Sequence, residues 1–148
     1  MFNRRFFFGL AAALPGAGLV IKTAGSAQAA TDKAKVVYHL SDAEKVKFVL
    51  GNIKNHIDGV GGPDNVEIVL VAHGPAVKSL HTLSGDQTLV GNLSKLMGEK
   101  VQFHVCANTL KAFNYELSEL PAGAILADKG GVVRIADLQQ KGYLYIRP

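Results

Sequence analysis

From residue 30 onward, the hydrophobic pattern switches repeatedly between short β-rich runs and stretches with the 3.6-residue period of an amphipathic helix. Val36-Val37-Tyr38-His39-Leu40 is the first β-rich run, and Ser41-Asp42-Ala43-Glu44 behind it has the S-x-x-E spacing of a capping box. Val46, Val49, Leu50, Ile53 and Ile57 then fall on one helical face, and Gly59, Gly61, Gly62 and Pro63 end that helix. Val66 to Ala72 is almost continuously apolar, as a strand covered on both faces should be. A short helix over Pro75 to His81 and a turn at Ser84-Gly85-Asp86 follow, and Leu89, Leu93, Leu96 and Met97 mark a further helix stopped by Gly98. Val101 to Cys106 reads as a buried strand running into a helix start, where Asn108 or Thr109 can act as the cap. Pro121 opens a connection to a brief strand at Ala124 to Ala127. The last helix runs from about Gly131 to Lys141 with Gly142 as its stop, and Tyr143 to Arg147 is the final strand.

Five short strands separated by helices predict an α/β three-layer sandwich, a mainly parallel five-stranded sheet with helices on both faces, because parallel neighbours need long crossovers. The expected strand order is the flavodoxin-like 2-1-3-4-5. In open sheets of this kind ligands bind beyond the carboxyl ends of the strands, where the strand order reverses. His39 and Ser41 leave the first strand there, His73 and Gly74 the second, and Cys106 to Thr109 the third. With the order 2-1-3-4-5 the first and third strands are neighbours, so His39 and Cys106 are expected to face one crevice.

Cys106 is the only cysteine. At a strand-to-helix joint, unpaired N–H groups and the helix dipole favour thiolate, the reactive form of the group. The competing reading is an inert buried cysteine, since free cysteines are among the most buried residue types. His39 and His73 either bond backbone carbonyls at their strand ends or serve the site as proton or anion partners. His104 shares a strand face with Cys106. Ser41, Gly74, Asn108 and Thr109 are the candidate substrate-binding residues, the last two by aiming N–H groups at an anion. His39, His73, His104 and Cys106 carry donor atoms suited to zinc, but none of their spacings is that of a recognisable zinc site, and no metal is assigned. His56 and His81 lie near helix C-termini and read as structural. No P-loop, G-x-S-x-G elbow or G-x-G-x-x-G turn is present, and the acids after the first strand oppose a flavin phosphate, so no cofactor is implied. A cysteine hydrolase would need a base within reach of Cys106; His39 could supply one, but nothing in the sequence fixes that geometry.

The chain has 148 residues, the size of one domain, with a formal charge of +4. Arg4, Arg5 and Lys22 stand in an N-terminal stretch without acids, and its removal leaves about +1, which argues against a nucleic-acid partner. Arg4-Arg5-Phe6-Phe7-Phe8 followed by the apolar run Gly9 to Ile21 and by Ala27-Gln28-Ala29 is similar to a twin-arginine export signal with cleavage after Ala29. A general export signal or an uncleaved anchor are the alternatives, and the apolar run is short for a span of roughly 20 residues. The expected organisation is therefore a signal peptide over residues 1–29, one domain over 30–148, a periplasmic location and no stable membrane insertion after cleavage.

Val37-Tyr38-His39-Leu40, Asn52-Ile53-Lys54-Asn55-His56, Glu67 to Gly74, Phe103 to Lys111 and Leu138 to Pro148, in this order and spacing, resemble the DsrE/DsrF-like family over nearly all of the region from residue 30. The segment Ala127-Asp128-Lys129-Gly130-Gly131 is more polar and glycine-rich than its family equivalent. The resemblance implies a three-layer α/β fold, homotrimers or homohexamers, and relay of sulfur as a persulfide on a cysteine at the position of Cys106. It also implies sulfur donor and acceptor proteins, or small sulfur compounds, as partners. Two functions follow. One is a periplasmic sulfur carrier or sulfurtransferase-like protein using Cys106 with His39 or His73, its status as an enzyme left open. The other is a non-catalytic oligomeric module that binds a small anion or a metal and has a structural cysteine.

Overall fold

The computed structural model describes residues 33–148, so the expected export signal lies outside the described residues. Five strands form one sheet: β1 (Ala34–Leu40), β2 (Val66–Ala72), β3 (Gln102–Cys106), β4 (Ile125–Ala127) and β5 (Leu144–Ile146). The helices are α1 (Val46–Gly59), α2 (Ala76–Ser79), α3 (Gln87–Gly98), α4 (Ala107–Phe113) and α5 (Gly131–Gln140), with 3-10 turns at Ala43–Lys45 and Leu117–Glu119. Every strand pair is parallel.

The strand order is β4-β3-β2-β1-β5, which corrects the expected 2-1-3-4-5. The chain steps from β1 through β4 in one direction, then returns through α5 to add β5 on the free side of β1. Burial explains why β2 holds the centre: six of its seven positions are buried, and only a strand with neighbours on both sides and helices on both faces can bury such a run. The order 2-1-3-4-5 would have left that strand at an edge. The edge strands β4 and β5 are instead three residues each and largely exposed. One consequence reaches the site directly, for β2 stands between β1 and β3 and places His73 between His39 and Cys106.

Alternation along the strands divides the core into two layers. Tyr38, Leu40, Ile68, Leu70, Phe103 and Val105 face α1, α2, α3 and α4, where they meet Leu50, Ile53, Val77, Leu93 and Leu110. On the opposite face Val37, Val69 and Val71 meet only Ile135 and Leu138 of α5, with Tyr143 alongside. Successive steps in one direction put the first four helices on one face, and the return step puts α5 on the other, as right-handed crossovers require.

Two expected caps are corrected. The Ser41-to-Glu44 box does not form: Asp42 begins a 3-10 turn there without a side-chain bond, and Ser41 Oγ accepts from Arg147 Nη2 at 3.0 Å instead. A box of this kind closes between Glu116 and Glu119. Neither Asn108 nor Thr109 caps α4, because Cys106 itself, extended at φ −65° and ψ 119°, is the N-cap residue and the helix follows the strand without a loop.

Phe103 is fully buried at the centre of the larger layer. Phe103→Ala should cost about 3–5 kcal/mol of unfolding free energy in urea, since a cavity is left that the surrounding strands and helices close only in part.

Candidate functional site: a thiol at the carboxyl edge of the sheet

Cys106 ends β3, begins α4, and is 7% exposed. Burial pushes its thiol pKa up, but the neighbouring N–H groups of Gly131, Thr109 and Asn108 and the hydroxyl of Thr109 favour the thiolate, and the net effect is a pKa below the ordinary value. All the groups that lower it are neutral donors. The Thr109 hydroxyl is itself oriented, because Gly74 N–H donates to Thr109 Oγ1 at 2.9 Å. Thr109 thus ties the loop after β2 to the first turn of α4, the helix that begins at Cys106. Gly74 has φ +58°, a conformation that favours glycine.

The second helix start at the sulfur was not recognised from sequence. A Cβ on Gly131 would lie 3.3 Å from Cys106 Cβ and 3.4 Å from His73 Cβ, so the first residue of α5 packs against both side chains because it has none. Gly130, at φ +102°, brings the chain against Asn108, whose Nδ2 would be 3.0 Å from an added Cβ. The glycine-rich segment that departs from the family pattern is therefore the wall of the site. Two adjacent glycines at the head of an apolar helix were the available signal.

His39 and His73 come together as neighbours across β1 and β2. Their Nε2 atoms share a hydrogen bond of 2.6 Å, with ring centroids 4.8 Å apart. His39 Nδ1 and Tyr145 Oη share another, also 2.6 Å. Arg147 Nη2 donates to Ser41 Oγ and, at 3.3 Å, to Asp42 Oδ2. Burial, His73 and Arg147 lower the His39 pKa to about 4, against an opposing pull from Asp42. Burial and Arg147 likewise lower that of His73, again with Asp42 opposing. Both rings are neutral at neutral pH. Tyr145 and Arg147 were missed because the carboxyl-end rule was applied to the first three strands and not to the last.

The remaining candidates separate from this cluster. His104 does share a face with Cys106, but it is 1% exposed, accepts from Arg134 Nε at 3.0 Å through Nδ1, and has its pKa lowered to about 4 by burial and Arg134. His56 bonds the Tyr38 hydroxyl at 2.9 Å, and buried His81 accepts the Leu83 and Ser84 N–H groups. Among the described residues no three of the His, Cys, Asp and Glu side chains converge as a metal site. Ser41 lies on the Arg147 side, whereas Gly74, Asn108 and Thr109 surround the thiol.

The DsrE/DsrF-like family profile matches residues 19–148. The chain belongs to the DsrE/DsrF-like family. A solved member of the same fold, MTH1491 of Methanobacterium thermoautotrophicum, is a protein of unknown function. It is 31% identical, with a TM-score of 0.68 over 78% of this chain and 99% of its own. A comparison with curated proteins finds no match. In this DsrE-like chain the family relation covers every segment that builds the site, from His39 to Arg147.

Gly131→Ala should push the start of α5 away from the sulfur, raise the thiol pKa and slow alkylation of Cys106 at neutral pH severalfold. The rate of iodoacetamide alkylation against pH checks this. A second expectation concerns stability. The unfolded chain protonates its histidines near pH 6.5, while His39 and His104 resist until about 4, so lowering the pH through that window should destabilise the fold. Urea unfolding at a series of pH values should give a free energy that rises with pH across it, and a flat profile would contradict the assignment.

Proposed function

We propose that this protein is a sulfur carrier, exported to the periplasm by a twin-arginine signal, that holds sulfur as a persulfide on Cys106 and passes it to a partner thiol. The observation that carries this reading is the ring of neutral donors around Cys106. Sulfur exchange proceeds by attack of a thiolate on a sulfur–sulfur bond, and a thiolate kept by N–H dipoles instead of by a paired cation stays available as a nucleophile. Membership of a family linked to sulfur relay agrees with it. His39 and His73 are the proton partners in this proposal, and Ser41, Gly74, Asn108 and Thr109 line the approach or support the anion. No cofactor enters the reaction.

The proposal includes assembly into homotrimers or homohexamers. Leu144 and Tyr145 on β5, Ile125 and Leu126 on β4, and Val132 and Val133 at the start of α5 are exposed apolar side chains, the kind of surface that a second copy covers. Donor and acceptor are sulfur-carrying proteins or small sulfur compounds.

The 7% exposure of Cys106 favours a second reading, in which the cysteine is structural and the N–H groups bind a small anion. One experiment separates the two. Intact mass is measured before and after polysulfide treatment, with and without reductant, for the wild type and Cys106→Ser. A reducible gain of one or more sulfur masses in the wild type alone is expected, and a folded protein whose thiol takes up neither sulfur nor an alkylating agent would end the carrier reading.

A further inference from the structure

The geometry points to a copper(II) site on the paired imidazoles of His39 and His73, a two-histidine clamp that binds the ion through both Nε2 atoms. The inference goes beyond the carrier reading and does not depend on sulfur at Cys106. The sheet builds the pair. His39 of β1 stands opposite Val71 of β2 in the parallel register, and its ring meets that of His73 two residues further along. The His73 N–H continues the ladder past the end of β2 by donating to Leu40 O at 3.0 Å. The two rings therefore leave adjacent strands side by side, with centroids 4.8 Å apart and planes 31° from each other. Gly131 makes room beside them, since even an added Cβ there would lie 3.5 Å from His73 Cδ2.

The spacing of the nitrogens selects the ion. The two Nε2 atoms are 2.6 Å apart. At a metal–nitrogen length of about 2.0 Å, cis nitrogens of a square-planar or tetragonal ion lie about 2.8 Å apart, and nitrogens of a tetrahedral one about 3.3 Å. The pair is thus close to the first geometry and well short of the second. Square and tetragonal sites of nitrogen and oxygen are those of copper(II) and nickel(II), and copper(II) heads the affinity order of the divalent first-row ions. Tetrahedral zinc is the poorer fit. In the metal-free protein the same contact serves as a hydrogen bond, and copper takes the place of its proton.

The surroundings suit a metal ligand. Metal-binding histidines engage their other ring nitrogen in a hydrogen bond that fixes the tautomer and the ring. His39 has such a partner, because Nδ1 and Tyr145 Oη share a bond of 2.6 Å. That contact is internal to the chain and stays in place when a second copy covers β5. With His39 Nδ1–H donating to Tyr145 Oη, His39 Nε2 is bare and the N–H between the rings belongs to His73. Moving that proton from Nε2 to Nδ1 of His73 frees the second nitrogen with no net release of a proton and no change of oxidation state. Both rings are neutral at neutral pH, the form that binds a metal. The charged groups that face the pair are Asp42, which favours a cation, and Arg147, which is tied to that acid and to Ser41 Oγ. Among the described residues no third His, Cys, Asp or Glu side chain completes the set, so water or a small ligand fills the other positions. A bound ion takes both imidazoles out of proton transfer.

The test uses full-length Cys106→Ser as parent, which keeps copper off the thiol, and copper(II) alone as the probe. Electron paramagnetic resonance at one equivalent of copper(II) should give a tetragonal spectrum with splitting from two imidazole nitrogens. Competition titration should give one tightly held ion per chain. In that parent, His39→Gln and His73→Gln should each weaken copper binding at least tenfold, and Tyr145→Phe should weaken it severalfold with the two-nitrogen spectrum retained. Circular dichroism establishes that each variant is folded. A parent spectrum of free copper, or of copper on a single nitrogen, overturns the site without reference to any variant. Folded His39→Gln and His73→Gln proteins that bind copper as tightly as the parent also overturn it, since the ion then sits elsewhere. Neither result touches the carrier reading, which the sulfur mass gain tests separately.

Discussion

The site depends on how one sulfur atom is solvated. A thiolate withdrawn from water needs replacement dipoles, and leaving it without them costs far more than any single contact returns. Here the replacements come from three stretches of chain: the first turn of α4, the first residue of α5, and Gly74 acting through the Thr109 hydroxyl. No one of these suffices. The parallel sheet assembles them, because α4 leaves β3 on one face while α5 leaves the neighbouring β4 on the other, so two helix starts flank a single strand end. That divergence of adjacent connections is what makes a crevice at a sheet edge. It falls at β3 and β4, not at β1 and β3 as the expected strand order implied.

The same constraint explains what was legible in the sequence. Periodicity and punctuation locate all five strands and the helices between them, since Gly98, Gly142 and the apolar spacing of Val46 to Ile57 act locally. Strand order is not local. It depends on which run can be covered on all sides, and the stretch Val66 to Ala72, apolar but for Glu67, carries that information. The caps were misplaced for a related reason: Ser41 has the residue type and spacing of a cap, but tertiary contact with Arg147 claims its hydroxyl. Cys106, His39 and His73 stand out as candidates in the sequence because strand carboxyl ends are identifiable from pattern alone. Gly131, Tyr145 and Arg147 were not, because a glycine contributes to a site by what it lacks and the last strand returns to the first only in three dimensions.

Polar groups on the α5 face, half-buried except for the fully buried His104, form a second pattern. Arg134 bonds His104, which is 3.3 Å from Gln102 through its other nitrogen, and the Tyr143 hydroxyl bonds Glu67. Burial and Glu67 raise the Tyr143 pKa to about 12, so this hydroxyl stays a donor across the physiological range. With few apolar residues beneath α5, such bonds fix its position along β3. Position matters here more than on the other face, because the distance from Gly131 to the sulfur is set by it.

The two faces of the sheet are covered unequally, four helices and most of the large core residues on one side, a single ten-residue helix over a handful of apolar side chains on the other. Cooperative units open at free energies that follow the apolar surface they bury, so opening the α5 layer is expected to cost less than opening the other. Lifting it withdraws the glycine wall from Cys106. Access of a bulky reagent to the sulfur, 7% exposed in the closed arrangement, would then depend on that opening, and the thiolate form favoured in the closed state would be the least reachable there.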